Sequence, residues 1–158
     1  MSKNLHQMVH MNRRQALKAA GAGVLAMGFA STAHATPSET ASAISKATGG
    51  ASAMAGSAKI TIKSPEIAEN GAIVPYTVTV DSPMTDADYV KHIHVFAEGN
   101  PSPEVISFNL SPANGKAEVS SRMRLAKTQN VVVAAVMSDG SVHTNKKEVK
   151  VTIGGCGG

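Results

Sequence analysis

The C-terminal segment Gly154-Gly155-Cys156-Gly157-Gly158 carries the only cysteine of the 158-residue chain, with two glycines on each side of it. Glycine has no Cβ, so a segment of this composition has little conformational preference and no side chain to pack into a core. The thiol of Cys156 is therefore expected to be exposed, mobile and slim enough to enter a narrow cleft. The competing interpretation is a frayed terminus whose cysteine has no function.

The sequence around Cys156 contains nothing that would activate a thiol. No Lys, Arg or His lies nearby, no helix begins there, and the terminal carboxylate two residues further on disfavours a thiolate. Cys156 is thus poorly suited to act as a nucleophile unaided, and well suited to be an attachment point that another protein's active site works on. We predict no catalytic residue and no cofactor for this chain itself.

Three histidines suggest an alternative site. His92 and His94 are two residues apart and would share one face of a strand; together with His143 they could ligate copper or zinc. No Asp or Glu has a spacing that would obviously complete a tetrahedral set, and polar residues on an outer strand face are the more ordinary explanation of the pattern. A metal-binding β-sandwich that uses these three residues is kept as the alternative function.

Other chemistry has little support in the sequence. Arg122 and Arg124 are better explained as a solvated strand face than as an anion site. There is no Gly-x-Ser-x-Gly nucleophile elbow, and no phosphate-binding glycine motif precedes a helix. A third possible function is a structural module that dimerises through a Cys156 disulfide.

Residues 1–35 have the pattern of an export signal. Asn12-Arg13-Arg14-Gln15-Ala16-Leu17-Lys18 precedes a mild apolar run, 19–30, and Ala33-His34-Ala35 supplies the small residues of a cleavage site. The pattern is similar to a twin-arginine signal, with Ala16 where Phe is usual. The apolar run is shorter than the roughly 20 residues of a membrane span. We expect a mature chain that starts at Thr36 and is periplasmic.

The formal charge of +4 belongs to this leader. Lys3, Arg13, Arg14 and Lys18 are four of the 15 basic residues, and no acidic residue precedes Glu39, so eleven basic and eleven acidic residues remain. A balanced mature chain gives no support to a nucleic-acid surface.

Residues 36–58 predict a short helix and a flexible linker, with Ser38 as the helix cap and Gly49-Gly50 after the last turn. Alternation with period two then predicts an all-β domain over 59–153, followed by the arm 154–158. About seven strands are expected, at 60–63, 74–80, 89–98, 106–110, 116–125, 131–137 and 149–153. This count and the turns between the strands favour an immunoglobulin-like antiparallel β-sandwich with a short N-terminal helix.

Local signals refine this prediction. Ser64-Pro65 breaks the first strand, Glu69-Asn70-Gly71 predicts a turn, and Pro75 indicates an edge position or a strand start. The segment 131–137 is apolar on both faces and predicts a central strand, while Ile153 is expected to face inward. Only four aromatic residues follow the leader, so the core is thin and a partner protein is expected to cover part of it.

The ending Gly154-Gly155-Cys156-Gly157-Gly158 after Val149-Lys150-Val151-Thr152-Ile153 resembles the SoxY family, the sulfur carriers of bacterial thiosulfate oxidation. Pro65-Glu66-Ile67-Ala68-Glu69-Asn70-Gly71 and His94-Val95-Phe96-Ala97-Glu98-Gly99-Asn100-Pro101 carry the same resemblance. It runs from about Lys59 to the end, and the twin-arginine leader is also typical of that family.

The resemblance implies an immunoglobulin-like subunit paired with a second β-sandwich protein, SoxZ. It implies that sulfur intermediates are bound to Cys156 while separate periplasmic enzymes act on them. A c-type cytochrome would load thiosulfate, a hydrolase would release sulfate, and in some pathways a molybdenum dehydrogenase would oxidise the remaining sulfane sulfur. The glycines Gly154, Gly155, Gly157 and Gly158 would let the arm enter each enzyme.

Overall fold

A computed structural model describes residues 36–155 and contains one helix and two β-sheets. The elements are α1 Pro37–Ala47, β1 Ala53–Met54, β2 Ile60–Lys63, β3 Ile67–Asn70, β4 Val74–Val80, β5 Val90–Ala97, β6 Glu104–Asn109, β7 Ala117–Met123, β8 Gln129–Met137 and β9 Val142–Ile153. A single 3-10 turn, Pro112–Asn114, joins β6 to β7. The expected all-β architecture with a short N-terminal helix is confirmed.

The larger sheet has the strand order β1-β9-β8-β5-β6, and β3 pairs with the last part of β9. The smaller sheet has the order β2-β4-β7, with both pairings antiparallel. The apolar faces of the two sheets enclose the main core, to which β4, β5, β7 and β8 contribute. The position of β8 between β9 and β5 confirms the central strand predicted for 131–137.

Both faces of β8 are apolar because each face is covered by a different layer. Val131, Val133 and Ala135 belong to the main core, whereas Val132 and Ala134 form a second cluster with Phe96 of β5. Ala43, Ile44 and Ala47 of α1 pack on this second cluster. Helix α1 therefore packs on the outer face of the larger sheet, over the fully buried Phe96 side chain.

Helix α1 begins earlier in the chain than the predicted cap. Thr36, not Ser38, is the N-cap: its side chain accepts a hydrogen bond from the Glu39 amide, and the Glu39 carboxylate accepts one from the Thr36 amide. Pro37 occupies the first turn, where its missing N–H costs nothing. The described part of the chain contains no helix that is both long and apolar enough to cross a membrane.

The segment between α1 and β2, for which the sequence predicted a flexible linker, pairs with β9 in the structure. Ala53 and Met54 form β1, parallel to Val142 and His143. The Ser57 amide then donates to the Thr144 carbonyl at 2.9 Å. The β-sheet hydrogen bonding of the chain thus starts before residue 59.

Two details of the predicted strands were wrong. Ile67–Asn70 is a parallel partner of β9 and not only the approach to a turn, so the sheets are not purely antiparallel. Ile153, which was predicted to face inward, is instead 66 % exposed. β8 stops pairing with β9 at Val149, so the end of β9 extends beyond the core.

The predicted turn at Glu69-Asn70-Gly71 is present, because the Asn70 Oδ1 accepts a hydrogen bond from the Ala72 amide at 2.8 Å. Pro75 lies at the start of β4, beyond the end of β2, as predicted.

Candidate functional site

The structure describes the first two residues of the predicted arm, Gly154 and Gly155, while Cys156, Gly157 and Gly158 lie outside the described residues. The last described residues, Ile153–Gly155, are called the arm base below. β9 brings the arm base to two loops, the turn after β3 and the segment after β7. Gly71 and Ala72 belong to the first loop, Leu125 and Ala126 to the second, and these four residues are called the arm seat.

Backbone hydrogen bonds join the arm base to the arm seat in a continuous series. The Gly71 amide donates to the Ile153 carbonyl at 2.7 Å, and the Leu125 amide donates to the Gly71 carbonyl at 2.8 Å. The Gly155 amide then donates to the Leu125 carbonyl at 2.9 Å. The backbone up to Gly155 is therefore paired with the sandwich, one residue before the cysteine.

The backbones of the arm base and the arm seat approach each other so closely that no side chain fits at Gly71, Gly154 or Gly155. A Cβ at Gly71 would overlap the Leu125 carbonyl and lie 2.8 Å from the Gly155 nitrogen. A Cβ at Gly154 would overlap the Ala126 carbonyl, and one at Gly155 would overlap the backbone of Gly71 and Ala72. None of the three glycines has a φ in the left-handed region, so space and not backbone conformation requires glycine here.

A buried polar pair supports one side of the arm seat. Asn100, 9 % exposed, donates through Nδ2 to the Arg124 carbonyl at 2.8 Å, and its Oδ1 accepts from the Ala126 amide at 3.0 Å. The Nε2 of Gln129 donates to the same Oδ1 at 3.0 Å, while its Oε1 accepts from the Gly99 amide at 2.6 Å. The backbone on both sides of Leu125 is thus held by side-chain hydrogen bonds.

Sequence reasoning missed Gly71, Asn100 and Gln129 as parts of this site. Asn70-Gly71 was interpreted as a turn, which is correct locally, and Asn100 falls between the predicted strands 89–98 and 106–110. Their contacts with the arm base and with 124–126 join residues far apart in sequence. The available signal was the family resemblance, whose quoted stretches contain both Gly71 and Asn100.

The arm seat brings no titratable side chain to the arm base. Its four residues are glycine, alanine and leucine, and they meet Gly154 and Gly155 through backbone atoms. A thiol is activated by a nearby cation, a metal or a helix N-terminus. Among the described contacts of the arm base there is no such group. The described geometry therefore positions the start of the arm through backbone contacts alone.

The alternative metal site is not assembled. His94 in β5 lies opposite Ala134 of β8, on the face covered by α1, whereas His143 in β9 lies opposite Ala135, whose neighbour in β5 is Ile93. Directly opposed residues point to the same side of a sheet, so His143 faces the side opposite to His94. Each ring is already engaged: His92 Nδ1 with Asn109 at 2.8 Å, His94 Nδ1 with Ser107 at 2.7 Å and His143 Nδ1 with Ser57 at 3.0 Å.

Within residues 36–155, no group of three or more His, Cys, Asp or Glu side chains could hold a metal ion. The alternative prediction of a metal site at His92, His94 and His143 was therefore wrong. The two-residue spacing does place His92 and His94 side by side, with ring centroids 5.9 Å apart, but the third ligand is on the other face. Arg122 and Arg124 are both exposed, in agreement with a solvated strand face.

We expect His94 to make the folded state less stable in acid. It is 8 % exposed, and its Nε2 is buried without a hydrogen-bond partner. Burial lowers the pKa of His94, nearby His92 lowers it further, and Glu104 opposes both. Below the ordinary pKa of 6.5, the unfolded chain binds a proton that the folded chain does not bind, so stability falls as the pH falls.

We expect the free energy of unfolding to decrease by up to about 1.4 kcal/mol per pH unit between about pH 6.5 and the lowered pKa of His94. Urea unfolding at a series of pH values measures this slope. His94→Gln keeps a hydrogen-bonding group for Ser107 and removes the titration, so its stability should vary less with pH over this interval. An equal slope in both proteins would contradict the assignment to His94.

Comparison with known proteins agrees with the resemblance seen in the sequence. The family model described as "Sulfur oxidation protein SoxY" matches residues 44–156, which is well over half of the chain. The solved structure of the sulfur carrier protein SoxY from Chlorobium limicola f thiosulfatophilum is 42 % identical, with a TM-score of 0.64. That match covers 75 % of this chain and 100 % of the other.

More distant structures share the fold alone. The superoxide reductase (neelaredoxin) from Ignicoccus hospitalis is 21 % identical, with a TM-score of 0.53, and the match covers 78 % of this chain and 98 % of that one. Among curated proteins, none matches the chain. The family match and the 42 % identity to a solved SoxY together establish that the chain belongs to the SoxY family of sulfur oxidation proteins.

Proposed function

We propose that this chain is a covalent sulfur carrier, which holds thiosulfate-derived intermediates on Cys156 and is not itself an enzyme. The observation that carries the proposal is the single cysteine of a SoxY-family chain, placed one residue beyond a backbone segment that is hydrogen-bonded to the sandwich. The arm seat, which contributes no activating side chain, supports an attachment point over a self-sufficient nucleophile.

Loading is a two-electron oxidation. The Cys156 thiol loses its proton, its sulfur bonds to the sulfane sulfur of thiosulfate, and two electrons pass to a c-type cytochrome. The product is a protein-bound S–S–sulfonate. A hydrolase then adds water across the bond between the sulfane sulfur and the sulfonate, which releases sulfate and leaves a persulfide on Cys156. Where a molybdenum dehydrogenase is present, it would oxidise that remaining sulfur.

The carrier would work with a SoxZ-like β-sandwich subunit and with these Sox enzymes, after export to the periplasm by the twin-arginine pathway. A partner subunit is supported by apolar side chains on the surface, since Ile67 and Ile73 are 61 % and 65 % exposed. Export is supported by the paired arginines and the Ala-His-Ala cleavage pattern of the leader.

Protein isolated from cells grown on thiosulfate should carry sulfur adducts on its C-terminal peptide. Mass spectrometry of that peptide is expected to find added masses of one sulfur atom and of a sulfur atom plus a sulfonate, both removed by a reducing thiol. Protein from cells grown without reduced sulfur compounds is the control. Unmodified thiol alone under both conditions would contradict the proposal, and a disulfide-linked dimer alone would favour the structural module.

A further inference from the structure

We propose that Gly154 and Gly155 are an anchoring segment that is seated on the sandwich, and that leaving the arm seat is what extends the reach of Cys156. The four glycines around the cysteine are then not equivalent. The two that precede it are glycine because the arm seat has no room for a side chain. Only the consequence for reach rests on the proposed carrier function; the seating does not.

Among the described glycines, only Gly71, Gly154 and Gly155 would bring a Cβ into overlap with backbone atoms, whereas a Cβ at Gly99 would meet side chains. Gly71 and Gly155 exclude a Cβ from each other, since a Cβ on either would meet the backbone of the other, at 2.8 Å or closer. A Cβ on Gly154 would meet the Ala126 carbonyl. By contrast, a Cβ at Gly49, Gly50, Gly115 or Gly140 would meet nothing within 4 Å. Flexibility alone would not require three glycines packed together through their backbones.

The hydrogen bonds show that the seated position is a bound one. The Gly155 amide donates to the Leu125 carbonyl at 2.9 Å, and the Ile153 carbonyl, two residues earlier, accepts from the Gly71 amide at 2.7 Å. Asn100 holds Arg124 and Ala126, on either side of that Leu125 acceptor. Because few contacts and no side chains hold Gly154 and Gly155, this segment can leave while Ile153 stays paired with Asn70.

Seating sets two different reaches for the thiol. With Gly155 on the arm seat, the Cα of Cys156 lies about 3.8 Å from that of a Gly155 fixed on the sandwich. Once Gly154 and Gly155 have left, three peptide units join Cys156 to Ile153, and its Cα can lie anywhere within about 10 Å of that of Ile153. An enzyme with a recessed active site would therefore select the released form, while the seated form keeps the cysteine beside its own sandwich.

Amide hydrogen exchange of the full-length, unmodified protein tests the seating directly. We expect the Gly155 amide to exchange at least about tenfold more slowly than an unprotected glycine amide, because it is hydrogen-bonded to Leu125. Gly71→Ala should abolish this protection and also reduce that of the Leu125 amide. Gly155→Ala should lower the protection of residue 155 in the same way, without altering the loop that carries Gly71.

Gly157→Ala is the matched control, since it changes a glycine on the other side of Cys156 and should leave Gly155 protection unchanged. Exchange of the wild-type Gly155 amide at the unprotected rate would overturn the proposal, even if Gly71→Ala fails to fold. Equal effects of Gly155→Ala and Gly157→Ala would overturn it as well. No sulfur compound takes part, so a failure here leaves the carrier function untouched, and absent sulfur adducts would leave the seating intact.

Discussion

Cys156→Ser is expected to eliminate sulfur loading and, in a strain that depends on this protein, thiosulfate oxidation. Cys156 is the only thiol of the chain, and a serine hydroxyl cannot form the disulfide-type bond to sulfane sulfur that the carrier needs. The fold should be unaffected, because the described contacts of the arm base are made by the backbone of residues 153–155. Growth on thiosulfate and the mass of the C-terminal peptide measure the two effects.

A matched control is His92→Asn, which changes a half-buried side chain that contacts Asn109 and lies outside the arm seat. This variant should load sulfur as the unsubstituted protein does. Retention of sulfur adducts or of thiosulfate oxidation by Cys156→Ser would refute the carrier role of the cysteine. Loss of loading in both variants, with the fold preserved, would mean that the β5 face takes part in recognition by the loading enzyme.

The proposed attachment point, Cys156, lies in the glycine-rich segment that follows the arm base. Among the described residues, the arm seat brings no acid, base or cation to the arm base, which suits the proposed attachment point because it leaves the bound sulfur unchanged. An unactivated thiol is also a slower target for stray oxidants. A carrier benefits from both properties, because its intermediate must survive the passage between enzymes.

Sequence patterns correctly predicted those parts of the fold that depend on residues close together in the chain. Residues 117–123 alternate strictly, and β7 buries Ala117 and Met123 while Glu118 and Ser120 are exposed. The apolar faces of 131–137 indicated a central strand for the correct reason, since β8 is covered on both sides. Thr36 could also have been found, because a proline at the first helical position favours the residue before it as the cap.

Pairings between distant segments could not be predicted in this way. The residues Ile67–Asn70 do not by themselves indicate a strand parallel to β9. That pairing depends on residues 150–153, which form the other strand. The requirement for glycine at 71 likewise depends on Leu125 and Gly155. The metal-site prediction at the histidines was wrong although its local part was correct. The spacing of His92 and His94 was correctly related to a strand face, but the face of His143 depended on the register of β8.

Asn100→Ala is expected to lower the free energy of unfolding by about 2–4 kcal/mol, a large effect for one side chain in a loop. The substitution removes three hydrogen bonds and leaves the Arg124 carbonyl and the Ala126 amide without their partners. Each buried group left unpaired costs about 1–3 kcal/mol. Gln129 would lose its hydrogen bond to Asn100 at the same time, so the substitution would destabilise residues 124–129 together.

Urea unfolding measures the change, which should appear as a lower midpoint with an unchanged dependence on denaturant. Asn130→Ala is the matched control: the same truncation, at a neighbouring position where the amide donates only to the Glu98 carboxylate, at 2.9 Å. It should cost less than Asn100→Ala, because it removes one hydrogen bond and leaves no backbone group without its partner. Similar losses for the two variants would show that Asn100 contributes no more than an ordinary polar contact.

The same substitution connects the stability of the sandwich to its arm. Asn100 fixes Arg124 and Ala126, and Leu125 between them accepts the hydrogen bond of Gly155. Under native conditions Asn100→Ala should therefore increase amide exchange at Gly155 more than at central β8 positions such as Val133, which lie deep in the core. Asn130→Ala should leave the Gly155 amide as protected as before. A uniform increase along the chain would instead mean that Asn100 stabilises the fold as a whole, with no particular role in holding the arm.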